Sequence, residues 1–212
     1  ASGRPRVHIV HKGDAPQSEL RVGHRGVPRS HQDHFSIVVM NAILGGLFSS
    51  QINLNLRERN AYTYGARSSF DWRRGAGPFV VSTAVKTEVT DAATREIHTE
   101  ISRLREHGVT AEELSLATAF LDGVFPIRYE TTTAVADAIA SADTYGLGAD
   151  YHARYRERVR AVSAADVLRA ADRHLHPENL VVLAVGDADV IRDPMERLGL
   201  GAVSVDLAAE QR

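Results

Sequence analysis

Six consecutive apolar residues, 180–185, closed by Gly186 and preceded by Pro177, constrain this chain more than any other feature. A run so short between helix breakers reads as a strand. With no polar alternation, it reads as an interior strand covered on both faces. The chain must therefore build a sheet that receives a strand from near its C-terminal end. Residues 7–11 and 18–25 read as a first hairpin about the turn Gly13-Asp14-Ala15-Pro16, with Leu20, Val22 and His24 on one face. From Tyr62 the period is two again. Tyr62, Tyr64, Ala66, Ser68, Phe70 and Trp72 share one strand face, and Gly75-Ala76-Gly77-Pro78 turns the chain into 79–86.

Helical spacing fills the intervals. Phe35, Val38, Val39 and Ala42 predict a helix from about Ser30 to Gly45-Gly46. Ser49 or Ser50 caps a second, in which Ile52 and Leu56 share a face and Arg57, Glu58 and Arg59 occupy the last turns. Thr90 caps a third, with the stripe Ala93, Ile97, Ile101 and Leu104 and a stop at Gly108. The capping box Thr110-Ala111-Glu112-Glu113 opens a fourth, which runs to about Phe125, where Pro126 predicts a kink or break. Further helices follow over 132–145 and 150–160, then one from a second capping box at Ser163-Ala164-Ala165-Asp166. A short helix near Pro194 and a strand over 203–205 complete the chain. The fold class is α+β, a mostly antiparallel sheet with helices packed on one face, in a single domain of residues 1–212.

Composition narrows function by exclusion. Hydrophobic residues make up 43% and charged residues 25%, the balance of a globular chain. A net charge of −2 gives no electrostatic footprint for nucleic acid. The absence of Cys removes disulfides, thiolate metal sites and cysteine nucleophiles, and suits cytoplasm and periplasm alike for a soluble, bacterial-type protein. The apolar runs 37–40 and 180–185 fall short of the roughly 20 residues a membrane-spanning helix needs, so no span is expected. The chain opens Ala1-Ser2-Gly3 rather than on Met, which reads as a piece or a processed form of a longer product.

Two blocks carry more than composition: Leu44-Gly45-Gly46-Leu47-Phe48-Ser49-Ser50, and Leu56-Arg57-Glu58-Arg59-Asn60-Ala61-Tyr62-Thr63-Tyr64-Gly65-Ala66. Together they resemble the second, zinc-free half of the pitrilysin, insulin-degrading-enzyme and mitochondrial-processing-peptidase family. There a Gly-Gly and Ser-Ser helix start precedes Leu-Arg-Glu, with a Tyr seven residues after the Arg. Pro16-Gln17-Ser18, Arg67-Ser68-Ser69-Phe70, Gly75-x-Gly77-Pro78-Phe79, Phe125-Pro126 with Glu130-Thr131, and Val185-Gly186-Asp187 extend the likeness along nearly the whole chain. Two places depart from the pattern: Gln51-Ile52 stands for Arg-Leu, and Asn60-Ala61 for a basic residue and Gly. If that turn needs positive φ, Ala tolerates it poorly and Asn60 is the residue expected to take it.

The resemblance implies the LuxS and processing-peptidase-like metallohydrolase fold, one half of a two-lobed zinc peptidase. The catalytic half of such enzymes holds zinc through an inverted His-x-x-Glu-His motif. This chain lacks that motif and reads His34-Phe35-Ser36-Ile37-Val38 in its place, with aliphatics for the base and second ligand. Hence no catalytic residue, metal ligand or cofactor is expected here; zinc belongs to a partner half or subunit, and this chain is expected to be inactive alone. By the same resemblance Arg57 and Tyr64 bind substrate, donating to the backbone of an extended peptide whose main docking edge lies in the catalytic half. Self-association into a homo-oligomer is a further expectation. A structural or assembly role on the same fold is the alternative. A self-sufficient hydrolase is the weakest reading, since neither G-x-S-x-G nor Cys is present.

Other signals have ordinary readings. Alone, Arg57 suits a helix C-terminus and Tyr64 a strand. His31-x-x-His34 is a solvated helix start, and His174-Leu175-His176 is a favourable helix end. Gly45-Gly46 is a tight helix–helix turn, and Arg154, Arg156, Arg158 and Arg160 form a solvated face.

Overall fold

A computed structural model describes residues 6–207. Six strands form one sheet in the order β3-β4-β2-β5-β1-β6. They are β1 (Arg6–His11), β2 (Gln17–Arg25), β3 (Ala66–Phe70), β4 (Pro78–Lys86), β5 (Val181–Gly186) and β6 (Ala202–Leu207). The sheet is mixed. Pairs β2–β4, β2–β5 and β3–β4 are antiparallel, whereas β1 runs parallel to both β5 and β6.

The apolar run 180–185 does form an interior strand, hydrogen-bonded to β1 on one side and β2 on the other. That placement overturns two expectations. β1 and β2 are not a hairpin, because β5 lies between them. The connection over 12–16 is long enough to step across one intervening strand, a lateral distance of about 10 Å. Nor is β5 covered on both faces. Val182 and Ala184 are fully buried, while Val181 is 42% and Leu183 38% exposed on the outer face.

The helices cover the opposite, inner face. They are α1 (His34–Asn41), α2 (Gln51–Asn53), α3 (Thr90–His107), α4 (Ala111–Arg128), α5 (Thr132–Tyr145), α6 (Tyr155–Arg160), α7 (Ala164–His174) and α8 (Ala188–Arg197). The α3 stripe Ala93, Ile97, Ile101 and Leu104 is wholly buried, as its spacing predicts. Both capping boxes form. Thr110 Oγ1 accepts from the Glu113 amide while the Glu113 carboxylate accepts from the Thr110 amide, and Ser163 and Asp166 do the same.

Several boundaries differ from expectation for identifiable reasons. α1 starts at His34, because the backbone over 28–33 forms turns closed by His31 N–H to Pro28 O and His34 N–H to His31 O. Thr90 is the first residue of α3 rather than its cap; its hydroxyl instead donates to Thr87 O and lies 2.9 Å from Ser18 Oγ. Ser50 precedes α2 without a side-chain capping bond. Pro126 lies inside α4, which runs on to Arg128; so near the helix end the proline sacrifices a single backbone bond. α6 begins at Tyr155, and 150–154 are turns. The strand expected from Tyr62 exists only as β3. Ala66, Ser68 and Phe70 turn inward as the alternation predicts, but 61–65 are coil.

Two π-helical turns, Ala42–Gly46 after α1 and Leu54–Arg59 after α2, give the helical segment 34–59 an unusual shape. By length and composition this segment could cross a bilayer. It is interrupted at 47–50, however, and Ile37, Val39, Met40, Leu44, Ile52 and Leu56 are fully buried against sheet and helices, as in a core helix.

Candidate functional site

Gly45 lets the first π turn approach the edge strand. A Cβ there would collide with the Ser68 side chain and stand 2.6 Å from its backbone nitrogen. The contact is fastened by Asn41, whose Nδ2 donates to Ser68 O at 3.1 Å while Ser68 Oγ donates to Asn41 Oδ1 at 2.8 Å. One turn later Asn53 joins both sides of the next bend. Its Nδ2 donates to Phe48 O at 2.6 Å, and its Oδ1 accepts from the Ala66 amide at 2.9 Å. Asn55 Nδ2 lies 2.8 Å from Glu96 Oε2 and 2.7 Å from the buried Glu100 Oε1, which anchors the second π turn to α3.

Arg57 projects from that second π turn. Its guanidinium sits 4.5 Å above the Phe48 ring, Nε is 3.5 Å from Glu58 Oε1, and Nη1 is buried without a hydrogen-bond partner among the described residues. The chain then reverses. Asn60 keeps φ −105°, and Ala61 takes φ +54°, so the left-handed conformation falls on Ala61 rather than on Asn60. Tyr64 follows in the coil, 91% exposed. Its loop is held from below. The Thr83 hydroxyl lies 3.0 Å from both Gly65 O and Thr63 Oγ1, and the Lys86 amide donates to Tyr62 O at 3.3 Å.

Arg57 and Tyr64 share no hydrogen bond or ion pair, yet Phe48 connects their surroundings. Phe48 lies under Arg57 and, with Tyr64, Gly45, Asn53 and Arg67, borders a hollow of about 360 Å³ along β3. Phe48 belongs to the quoted motif, but nothing in the sequence marked it as the ring supporting Arg57. An aromatic directly before Ser49-Ser50, at a helix start, was the available signal. Asn53 and Asn55 were also missed; two asparagines alternating with Ile52, Leu54 and Leu56 are the clue, since such residues need partners when buried.

A second cavity, about 410 Å³, adjoins the first through Gly46 and Leu47. His34 borders it. The imidazole is buried rather than solvated, packs 4.3 Å from the Trp72 ring, and is pushed down to about 3 by burial, with the Arg29 charge adding to the effect. This is the position at which the resemblance would put a zinc ligand, and zinc does not fit. The base and second-ligand places are Ile37 and Val38, no acidic side chain among the described residues borders the cavity, and two arginines do. His31, Asp33 and His174 offer ligand atoms within 4.8 Å of one another. However, Asp33 Oδ2 is 2.8 Å from His174 Nε2 and 3.6 Å from Arg173 Nη1, and the His174 contact holds its carboxyl below the usual range. This cluster is an ion-paired clasp between the start of α1 and the end of α7.

Comparison with known proteins gives consistent results. A family model described as the peptidase M16 inactive domain matches residues 2–121. An uncharacterised zinc protease of Bacillus subtilis, YmxG, is 22% identical over 132 residues, covering 61% of this chain and 32% of its own length. The fold matches a crystal structure of a peptidase M16 inactive domain from Pseudomonas fluorescens, with TM-score 0.81 and 21% identity, over 87% of this chain and 44% of that one. It also matches a protease from Helicobacter pylori with TM-score 0.76 and 17% identity, over 87% and 45%. The chain thus spans about a third of that curated relative and under half of either solved chain.

Proposed function

Because this chain belongs to the peptidase M16 inactive-domain family, we propose that it is the zinc-free half of a two-half zinc peptidase and that Arg57 and Tyr64 grip the peptide backbone beside the scissile bond. The observation that carries the reading is a pair of unspent donors linked through Phe48, whose ring supports Arg57 and borders the hollow that Tyr64 lines. Arg57 Nη1 has no partner among the described residues, and the Tyr64 side chain stands in solvent on a loop fixed to β4. A guanidinium and a phenol offer donors to a peptide carbonyl or to the oxyanion that forms from it, and each such donor is worth roughly 10²–10³ in rate. Donors of this kind stabilise charge but do not themselves activate water, so their contribution depends on a facing catalytic half.

The surface supports a missing neighbour. α5 buries none of its side chains within the domain, and Ile127 and Ile139 are 69% and 64% exposed on α4 and α5. A helix without a buried face draws its stability from packing elsewhere.

The test is reconstitution with the cognate zinc-binding half, followed by kcat/KM for an unstructured peptide. Arg57→Ala is expected to lower kcat/KM by roughly 10²–10³ and Tyr64→Phe by about tenfold or more, with association of the halves unchanged. Full activity in both variants would refute the gripping role.

A further inference from the structure

The cavity at His34 has a chemistry that the gripping pair does not use. Arg29 and Arg128 both border it, and no Asp or Glu among the described residues does. Arg29 is held in place: Nη2 donates to the Tyr151 hydroxyl at 2.5 Å, and the guanidinium carbon sits 4.8 Å from the Tyr151 ring centre. Its Nη1 is buried with no partner among the described residues, and so is Nδ1 of His34, a residue only 6% exposed. Buried polar atoms without partners are rare in native proteins, and both belong to residues that border this cavity; Arg29 Nη1 is always a donor, while a neutral imidazole nitrogen can donate or accept. Burial keeps His34 neutral, so it adds no charge to compete with the guanidiniums. The rest of the wall is mostly aromatic and aliphatic, with Trp72 and Tyr129 beside Tyr151, and carries the polar Asn41 and Ser69. At about 410 Å³ the space falls within the range of small-ligand sites.

We propose that this cavity binds a carboxylate carried on an aromatic or branched apolar group, its charge taken by Arg29 and Arg128 and its apolar body packed against Trp72. Planar guanidinium forks match carboxylates, and an apolar wall selects against small hydrated anions. The carboxylate has two sources: the C-terminus of a peptide, or a free aromatic acid. The site requires neither zinc nor a facing half, so it stands or falls apart from the role of Arg57 and Tyr64.

Trp72 is the sole tryptophan of the sequence and borders this cavity, so tryptophan emission from the folded chain comes from a ring in its wall. The intact chain is titrated with N-acetylphenylalanine, its amide, acetate, and a pentapeptide ending in Phe as free acid or amide. Both Phe acids are expected to change Trp72 emission saturably, with amides and acetate at least about tenfold weaker, the loss of a charge-assisted contact or of the apolar body. Arg128→Gln, at an exposed position, should weaken acid binding by about tenfold without changing the melting temperature, and Arg29→Gln should do the same or more. Arg57→Ala and Tyr64→Phe should leave it unchanged. A pentapeptide acid much tighter than N-acetylphenylalanine assigns the site to peptide C-termini; equal affinity assigns it to free acids. Equal binding of acid and amide, no saturation at millimolar ligand, or indifference to Arg128→Gln would overturn the proposal.

Discussion

Ala61→Gly should stabilise this protein, against the usual cost of adding a glycine. Ala61 follows Asn60, the residue that caps the second π turn; helices commonly end on a left-handed glycine at this place, and the φ of Ala61 is +54°. The left-handed conformation costs an L-residue roughly 1–2 kcal/mol through the clash of Cβ with the backbone. Glycine removes that clash but gives the unfolded chain extra freedom, which offsets about 0.4–1 kcal/mol. Ala61 is exposed, so no packing is lost with its methyl group. The net is a gain of about 0.5–1 kcal/mol, or roughly 1–4 °C in Tm for a domain of this size. Urea denaturation monitored by Trp72 fluorescence and far-UV circular dichroism measures it, with equal m-values as the condition for comparison. Ala61→Val supplies the opposite arm, because a β-branched residue tolerates positive φ worse than alanine and should lose about 1 kcal/mol or more. A glycine variant less stable than the parent, with the valine variant no worse than the parent, would refute the strain argument.

Gly45→Ala should cost about 1–3 kcal/mol or more, because the new methyl meets the Ser68 backbone; Gly75→Ala, with open space around it, should be near neutral in the same urea titration. Stability should fall in acid. Burial pushes His24 down to about 4 and His34 to about 3, so between pH 6.5 and about 4 the unfolded chain takes up protons that the native one refuses. Each imidazole then removes about 1.4 kcal/mol per pH unit below 6.5, with its contribution complete above that value. Unfolding free energies at pH 7.5, 6 and 5 should show the slope, and His34→Leu should reduce it by about one proton; a slope untouched by that change would count against the buried neutral imidazole.

What could be read from the sequence was local. The capping boxes at Thr110 and Ser163, the α3 stripe and the inward face of β3 each depend on residues within a few positions of one another, and all form as expected. What could not be read was decided across the chain. Nothing near Gly13 or Pro16 shows that β5 will lie between β1 and β2. The alternation from Tyr62 to Trp72 is genuine in sequence, but Asn53 claims the Ala66 amide and Thr83 the Gly65 carbonyl, so the strand begins four residues later than its pattern. The motif blocks indicated Arg57 and Tyr64 but not Phe48 beneath Arg57, nor the arginines around His34. Arg29 and Arg128 lie 99 positions apart and border one cavity only once α4 packs against α1.

The position of β5 has a consequence for biogenesis. β1 and β2 leave the ribosome well before the strand that joins them, which is made about 155 residues after β2 ends. Until then β1 is a lone strand and β3-β4-β2 a ribbon with an unpaired edge, the kind of surface that invites pairing with the wrong chain. A nascent polypeptide of this design depends on chaperones or on speed over that interval. Any cut before Gly186 should yield a product that aggregates instead of a smaller folded unit.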